Sequence, residues 1–160
     1  MIRRATINDL KYILDIYNFY VMNSVSSFDT SIRTVEGGEK WFNEHDDKYP
    51  IIVYEDNDIE GWASLSKWAS HDGYIGTVEL SIYVKHDSKG KQIGKKLFES
   101  IIKKAKELNY HCIISRITEG NEVSRKMHEN YGFTYIGVMK EVGKKFDKYL
   151  DVHLYQYIIE

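Results

Sequence analysis

Glu79 stands in the alternating run Thr77 to Val84, where Val78, Leu80, Ile82 and Val84 share one face and Thr77, Glu79, Ser81 and Tyr83 the other. A carboxylate on that second face is a candidate general base. Close behind comes the turn Ser88, Lys89, Gly90, Lys91, Gln92, after which Ile93, Leu97, Ile101, Ala105 and Leu108 recur at helical spacing. Lysines at a helix start oppose its dipole unless an anion sits there, and Gly90 and Gly94 let a ligand approach the backbone. Residues Lys89, Gly90, Lys91, Gln92, Ile93, Gly94 and Lys95 thus form a candidate seat for a polyanionic cofactor at a helix N-terminus. The plain alternatives are a solvated lysine face for the turn and an edge or interface acid for Glu79.

Other patterns fail on spacing. Gly90 to Lys96 has one residue too few between its glycines for a P-loop and ends in Lys where a Mg²⁺-binding hydroxyl is needed. His128-Glu129 opens like a zincin helix, yet Gly132 stands where the second histidine belongs, so no metal is expected. No G-x-S-x-G elbow is present.

The elements that must position these groups follow from periodicity. Ile2 to Ala5 reads as a short strand, and Thr6 to Asp9 as a capping box before a helix with Leu10, Ile13, Leu14, Tyr17 and Val21 inward. Thr34 to about His45 is a weaker helix, and Ile51 to Tyr54 pairs with Ile59 to Lys67 across the turn Glu55 to Asp58. After the acid-bearing strand and the helix to Leu108 come a strand around His111 to Ile117 and a short helix marked by Val123, Met127 and Tyr131 that stops at Gly132. Two last strands, Phe133 to Met139 and Leu150 to Ile158, flank a basic loop containing Lys144 and Lys145. Strands in runs and then alternating with helices predict an α/β (α+β) fold, a mixed sheet with helices on both faces.

With 160 residues and neither linker nor repeat, residues 1–160 are expected to form a single domain. A net charge of −2 gives no global pull toward nucleic acid or anionic membrane, and the lysines of residues 85–106 lack the interleaved aromatics that base stacking needs. Cys112 is the only cysteine and sits in an apolar run, which points to a buried thiol in a reducing compartment. Without an apolar stretch after Met1 or a run of about 18 apolar residues, a cytoplasmic location and no membrane partner are expected.

The chain resembles the GCN5-related N-acetyltransferases, and more closely the branch of phosphinothricin and methionine sulfone acetyltransferases. The likeness is carried in order by Phe28-Asp29-Thr30, Gly61-Trp62-Ala63-Ser64, Trp68, Asp72-Gly73-Tyr74, Thr77-Val78-Glu79, Ser81 to Val84, Met127-His128-Glu129, Gly132-Phe133 and Leu150-Asp151. It implies a largely antiparallel mixed sheet of about six to seven strands and a direct transfer of acetyl from acetyl-CoA to the primary amine of a small molecule, an amino acid or toxic analogue. Backbone groups of Ile82, Tyr83 and Val84 would bind the pantetheine arm, with an N–H near Val84 meeting the oxyanion. The diphosphate would lie on Lys89 to Lys95, and Asn121 and Ser124 would reach further atoms of CoA, although Asn121 reads equally well as an N-cap.

In the family's cofactor turn, Lys89 takes the place of Arg or Gln, Gln92 that of the central Gly, and Gly94 the last position. Glu79 is implied as base and His128 as the acid that protonates the leaving thiolate, with Tyr131 as the alternative. Phe28, Trp68 and Tyr74 would wall the acceptor site. Relatives carry Arg or Lys after the tryptophan, where this chain has Ala69, so Arg33 or Lys67 would have to supply the cation. A homodimer is expected from the branch, while Tyr149, Tyr155 and Tyr157 in the last strand read equally as a paired surface or as core. Two rivals remain open: an acetyltransferase acting on peptides or proteins, and a non-catalytic CoA-binding module.

Overall fold

The computed structural model describes residues 1–88 and 90–160. Its elements run β1 (Ile2–Arg4), α1 (Leu10–Asn23), α2 (Val35–Asn43), β2 (Ile51–Asp56), β3 (Asp58–Lys67), β4 (Thr77–Val84), α3 (Ile93–Glu107), β5 (Cys112–Thr118), α4 (Glu122–Asn130), β6 (Thr134–Lys145) and β7 (Lys148–Ile158). One seven-stranded sheet has the order β1-β2-β3-β4-β5-β7-β6, antiparallel throughout except between β4 and β5. That parallel pair is the one that α3 connects, as a crossover must.

The local signals explain most boundaries. At the start of α1 the capping box forms as expected: the Thr6 N–H donates to Asp9 Oδ2 at 2.7 Å, and Arg3 adds two hydrogen bonds to the same carboxylate. Thr34 caps α2 by accepting from the Gly37 N–H at 3.1 Å. Gly132, with φ of 83°, ends the turn after α4.

Two apolar cores sandwich the sheet. On one face Leu97, Phe98, Ile101 and Ala105 of α3 pack on Val78, Leu80 and Ile113; on the other, Ile13, Tyr17 and Val21 of α1 pack on Val53, Ile59 and Trp62. The alternation of β4 assigns its residues to these faces as the sequence predicts. Gly61 allows the close approach of α3, since a Cβ there would lie 2.8 Å from Leu97 Cδ1.

The C-terminal hairpin differs from expectation. In place of a basic loop around Lys144 and Lys145, β6 runs on to Lys145 and β7 starts at Lys148, joined by Phe146 and Asp147 at φ of 52° and 57°. That is the backbone of a two-residue hairpin turn without its usual Asn-Gly signature. A bulge, marked by the register shift between Met139 and Gly143, breaks the alternation that would have revealed the longer strand.

Candidate active site

The parallel pairing of β4 with β5 lasts only from Thr77–Cys112 to Glu79–Ile114, while β4 stays paired with β3 up to Val84 and β5 with β7 up to Thr118. Beyond Glu79 the two strands therefore part. The Lys85 N–H donates to Glu60 O across to β3, and the alternation of an antiparallel ladder then turns the N–H groups of Ile82 and Val84 toward the opening. The Val84 carbonyl already accepts there from the Tyr20 hydroxyl. A strand edge with unpaired peptide groups is the kind of surface that takes an extended ligand as an added strand.

Three hollows meet at this split, all touching Ser26 and Tyr83. A channel of about 430 Å³ runs between α1, β4 and α4, lined by Phe19, Tyr20, His86, Gly94, Val123 and Met127. Its wall includes the stacked rings of Phe19 and His86, 3.9 Å apart. On the other side a cavity of about 550 Å³ holds Glu79 and Arg116 from the sheet and Phe28, Asp29, Arg33 and Trp41 from α2 and the loop before it. Between them, a cleft of about 70 Å³ in the split is lined by Ser115, Asn121, Ser124 and His128.

Glu79 is bound on both oxygens by Arg116, whose Nε and Nη2 donate at 2.5 and 2.8 Å. The Arg116 guanidinium also lies 5.7 Å from the centre of the Trp68 ring. Arg33 is held in the cavity wall between two rings, 4.4 Å from Tyr17 and 5.2 Å from Trp41, and its Nη2 is 3.4 Å from Asp29 Oδ2. The Asn18 amide fixes the Arg33 backbone with two hydrogen bonds. Burial and the Asp29 carboxylate, to which it donates, push the Tyr17 hydroxyl up to about 12, so it stays protonated.

His128 is almost fully enclosed, at 2% exposure, among Phe98, Phe133 and Tyr155. Its Nδ1 lies 2.7 Å from the Ser124 carbonyl oxygen, which can only accept, so Nδ1 carries the proton. Burial pushes the ring down to about 4, and Nε2 is left as a lone pair without a partner among the described residues. The nearby Ser115 Oγ is likewise unpartnered. Neutral at pH 7 and with no proton on Nε2, this ring is poorly suited to the acid role implied for it. Tyr131 instead donates to Glu99 on α3 at 2.5 Å, away from the split.

At the start of α3, Gln92 adopts φ of 56° and ψ of 26°, the left-handed conformation glycine takes without strain. Gly90 has φ of 86°. The first N–H groups of α3, from Ile93 to Lys95, have no partner inside the helix and face this turn. Lys91 is not free for a ligand, because its Nζ sits 2.7 Å from the buried Glu60 carboxylate, which Ser88 also reaches. That ion pair holds Glu60 below the usual carboxylate range. Lys89 lies outside the described residues.

Of the expected site residues, Glu79, Ile82, Tyr83, Val84, Gly94, Asn121, Ser124, His128 and Phe28 converge on the split and its hollows. Asn121 also caps α4, accepting from the Ser124 N–H at 3.3 Å. Trp68 and Tyr74 do not line the large cavity. Trp68 touches it only through Arg116, and Tyr74 lies 46% exposed in the turn Asp72–Tyr74. Tyr17, Trp41 and Tyr83 supply the aromatic walls instead. Lys67 is exposed and apart from the cavity, whereas Arg33 lies in it. Sequence reading missed Arg116, although a lone charge in the apolar run of β5 was a visible signal. Among the described residues no three His, Cys, Asp or Glu side chains cluster as metal ligands would, and no helix is long and apolar enough to cross a membrane.

Comparison with known proteins gives concordant matches. The model of the acetyltransferase (GNAT) domain matches residues 2–154. An L-methionine sulfoximine/L-methionine sulfone acetyltransferase of Pseudomonas aeruginosa is 35% identical over 97% of this chain and 92% of its own length. A phosphinothricin N-acetyltransferase of Streptomyces coelicolor is 32% identical over 97% of this chain and 94% of its own. Among solved structures, a protein of Salmonella typhimurium with its cofactor acetyl-CoA superposes with a TM-score of 0.94 at 31% identity, covering 100% of this chain and 94% of that one.

Proposed function

The chain belongs to the GNAT acetyltransferase family and is an N-acetyltransferase, and we propose that it moves acetyl from acetyl-CoA directly to the primary amine of a small amino acid or a toxic analogue of one. The observation that carries the reading is the position of Glu79. Its carboxylate stands in the acceptor-sized cavity at the point where β4 leaves β5 and its peptide edge becomes free.

The residues around the split fit the cofactor. The N–H groups of Ile82 and Val84, the largely apolar channel walled by Phe19, Tyr20 and Met127, and the N–H groups at the start of α3, free of partners among the described residues, suit in turn an amide-bearing arm and a diphosphate. Bound there, acetyl-CoA supplies an activated acetyl group as a thioester. Glu79, acting through water, takes a proton from the acceptor ammonium, and the freed nitrogen forms the N–C bond as the C–S bond breaks. Two protons leave the nitrogen in all: one ends on the sulfur and one in solvent. One fixed N–H, near Val84, opposes the negative charge that builds on the carbonyl oxygen, with no reorganisation. The His128 lone pair and the Ser115 hydroxyl can hold a water in the split, a route for the proton that reaches the sulfur.

The test is thiol release from acetyl-CoA with free amino acids, their decarboxylated amines and short peptides as acceptors. Free amino acids are expected to turn over and peptides to fail; the opposite order would overturn the acceptor assignment. Glu79→Gln should lower turnover at pH 7 by about 10²–10⁴, with the deficit shrinking at high pH where free amine is already present. Unchanged turnover at pH 7 would remove Glu79 as the base.

A further inference from the structure

We infer that Arg116 binds the carboxylate of the acceptor, so that the amine presented near Glu79 is the α-amine of an amino acid; this rests on the acetyltransferase reading above. Arg116 is the one exposed residue of β5, all the rest of which is buried. It lies two residues beyond Ile114, the last residue paired with β4, so its side chain emerges where the sheet opens. A lone cation at that place, in a strand otherwise committed to the core, is not explained by packing.

The hydrogen bonds leave one edge of the guanidinium over. Nε and Nη2 hold Glu79, while Nη1 has no partner among the described residues. The end formed by Nη1 and Nη2 is the geometry that takes a second carboxylate in two parallel bonds. Trp68 backs the planar group from one side at 5.7 Å and leaves the cavity side open.

In an α-amino acid the amine and the carboxylate share one carbon. A carboxylate seated on the free end of Arg116 therefore brings the amine beside the carboxylate on the adjoining edge, which is Glu79. Charge leads to the same ligand. The cavity contains two ion pairs, Arg116 with Glu79 and Arg33 with Asp29. A zwitterion enters without changing that balance, whereas a simple ammonium would add an uncompensated positive charge. Arg33, in the opposite wall between Tyr17 and Trp41, remains for a polar group at the end of the acceptor side chain. Ala69, next to Trp68, carries no charge, and Arg116 places one over that same ring.

The experiment is equilibrium binding by calorimetry to the CoA-loaded protein, using L-methionine sulfone and 3-(methylsulfonyl)propylamine, the same molecule without its carboxylate. The wild-type protein should prefer the amino acid by about 10–100-fold, the range of a charge-assisted hydrogen-bonded pair. Arg116→Ala should bring that ratio close to one, and Arg116→Lys should restore part of it. In turnover, Arg116→Ala should raise KM for the amino acid far more than it lowers kcat. Equal binding of both probes by the wild type, binding of neither, or an equal loss of both in Arg116→Ala would overturn the proposal; the last result would mean that Arg116 only positions Glu79. A preserved preference in binding with no thiol release would leave this proposal standing and overturn the acetyltransferase reading.

Discussion

At the scale of single residues, surroundings separate the two side chains implied as base and acid. Glu79 and His128 both touch the split, but one is tied to a guanidinium and the other is sealed among aromatic rings. The His128 ring, pushed down from 6.5 to about 4 by burial, is neutral when folded over a range in which the unfolded chain is protonated. Between those two values the unfolded state binds more protons, so stability is full above about pH 6.5 and falls as pH drops toward 4. The loss attributable to this group is on the order of 3 kcal/mol, from a shift near two and a half pH units at 1.36 kcal/mol each. Urea unfolding of wild type and His128→Gln at pH 7 and pH 4.5 should show the smaller pH slope in the variant. Identical slopes would mean the ring is protonated inside the fold.

At the scale of elements, the start of α3 carries strain that the rest of the helix offsets. Gln92 holds a left-handed backbone, which costs a side-chain-bearing residue roughly 1–2 kcal/mol. Helix α3 sustains it because Ile93, Leu97, Phe98 and Ile101 are fully or almost fully buried just downstream. Gln92→Gly should therefore gain about 1 kcal/mol, a rise in Tm of about 2–4 °C, without weakening acetyl-CoA binding. A lower Tm in differential scanning calorimetry would show that the glutamine side chain contributes more than its backbone costs. The helix and the turn before it were legible from the spacing of Ile93 to Leu108 and from Gly90. The left-handed state of residue 92 was not, because glutamine does not signal it.

Across the whole molecule, one side chain ties distant segments together around the cavity that holds Glu79. Lys145, at the tip of β6, is 3% exposed and donates to the carbonyls of Ser24 and Ser27 at 2.6 Å each and of Tyr20 at 3.4 Å. It thereby closes the end of α1 and holds the loop that carries Phe28, whose ring packs directly over Gly143. Lys145→Met would leave those buried carbonyls unpaired, at a cost of about 2–4 kcal/mol, and should raise KM for the acceptor more than for acetyl-CoA. Equal KM values for both substrates in wild type and variant would separate the hairpin from the site. Local pattern was enough to place Glu79 and Ile82 on opposite faces of β4 and to single out the turn before α3, and the resemblance named most of the residues that meet at the split. It could not show that β4 leaves β5 after Glu79, that Arg116 clasps that acid, that His128 is held neutral or that Lys145 is buried. Alternation and helical spacing are properties of neighbours along the chain, so residue order alone carries them. The separation of two strands, the charge on an enclosed ring and the partner of a guanidinium depend on groups far apart in sequence and on the water that packing removes, and only the folded molecule sets those.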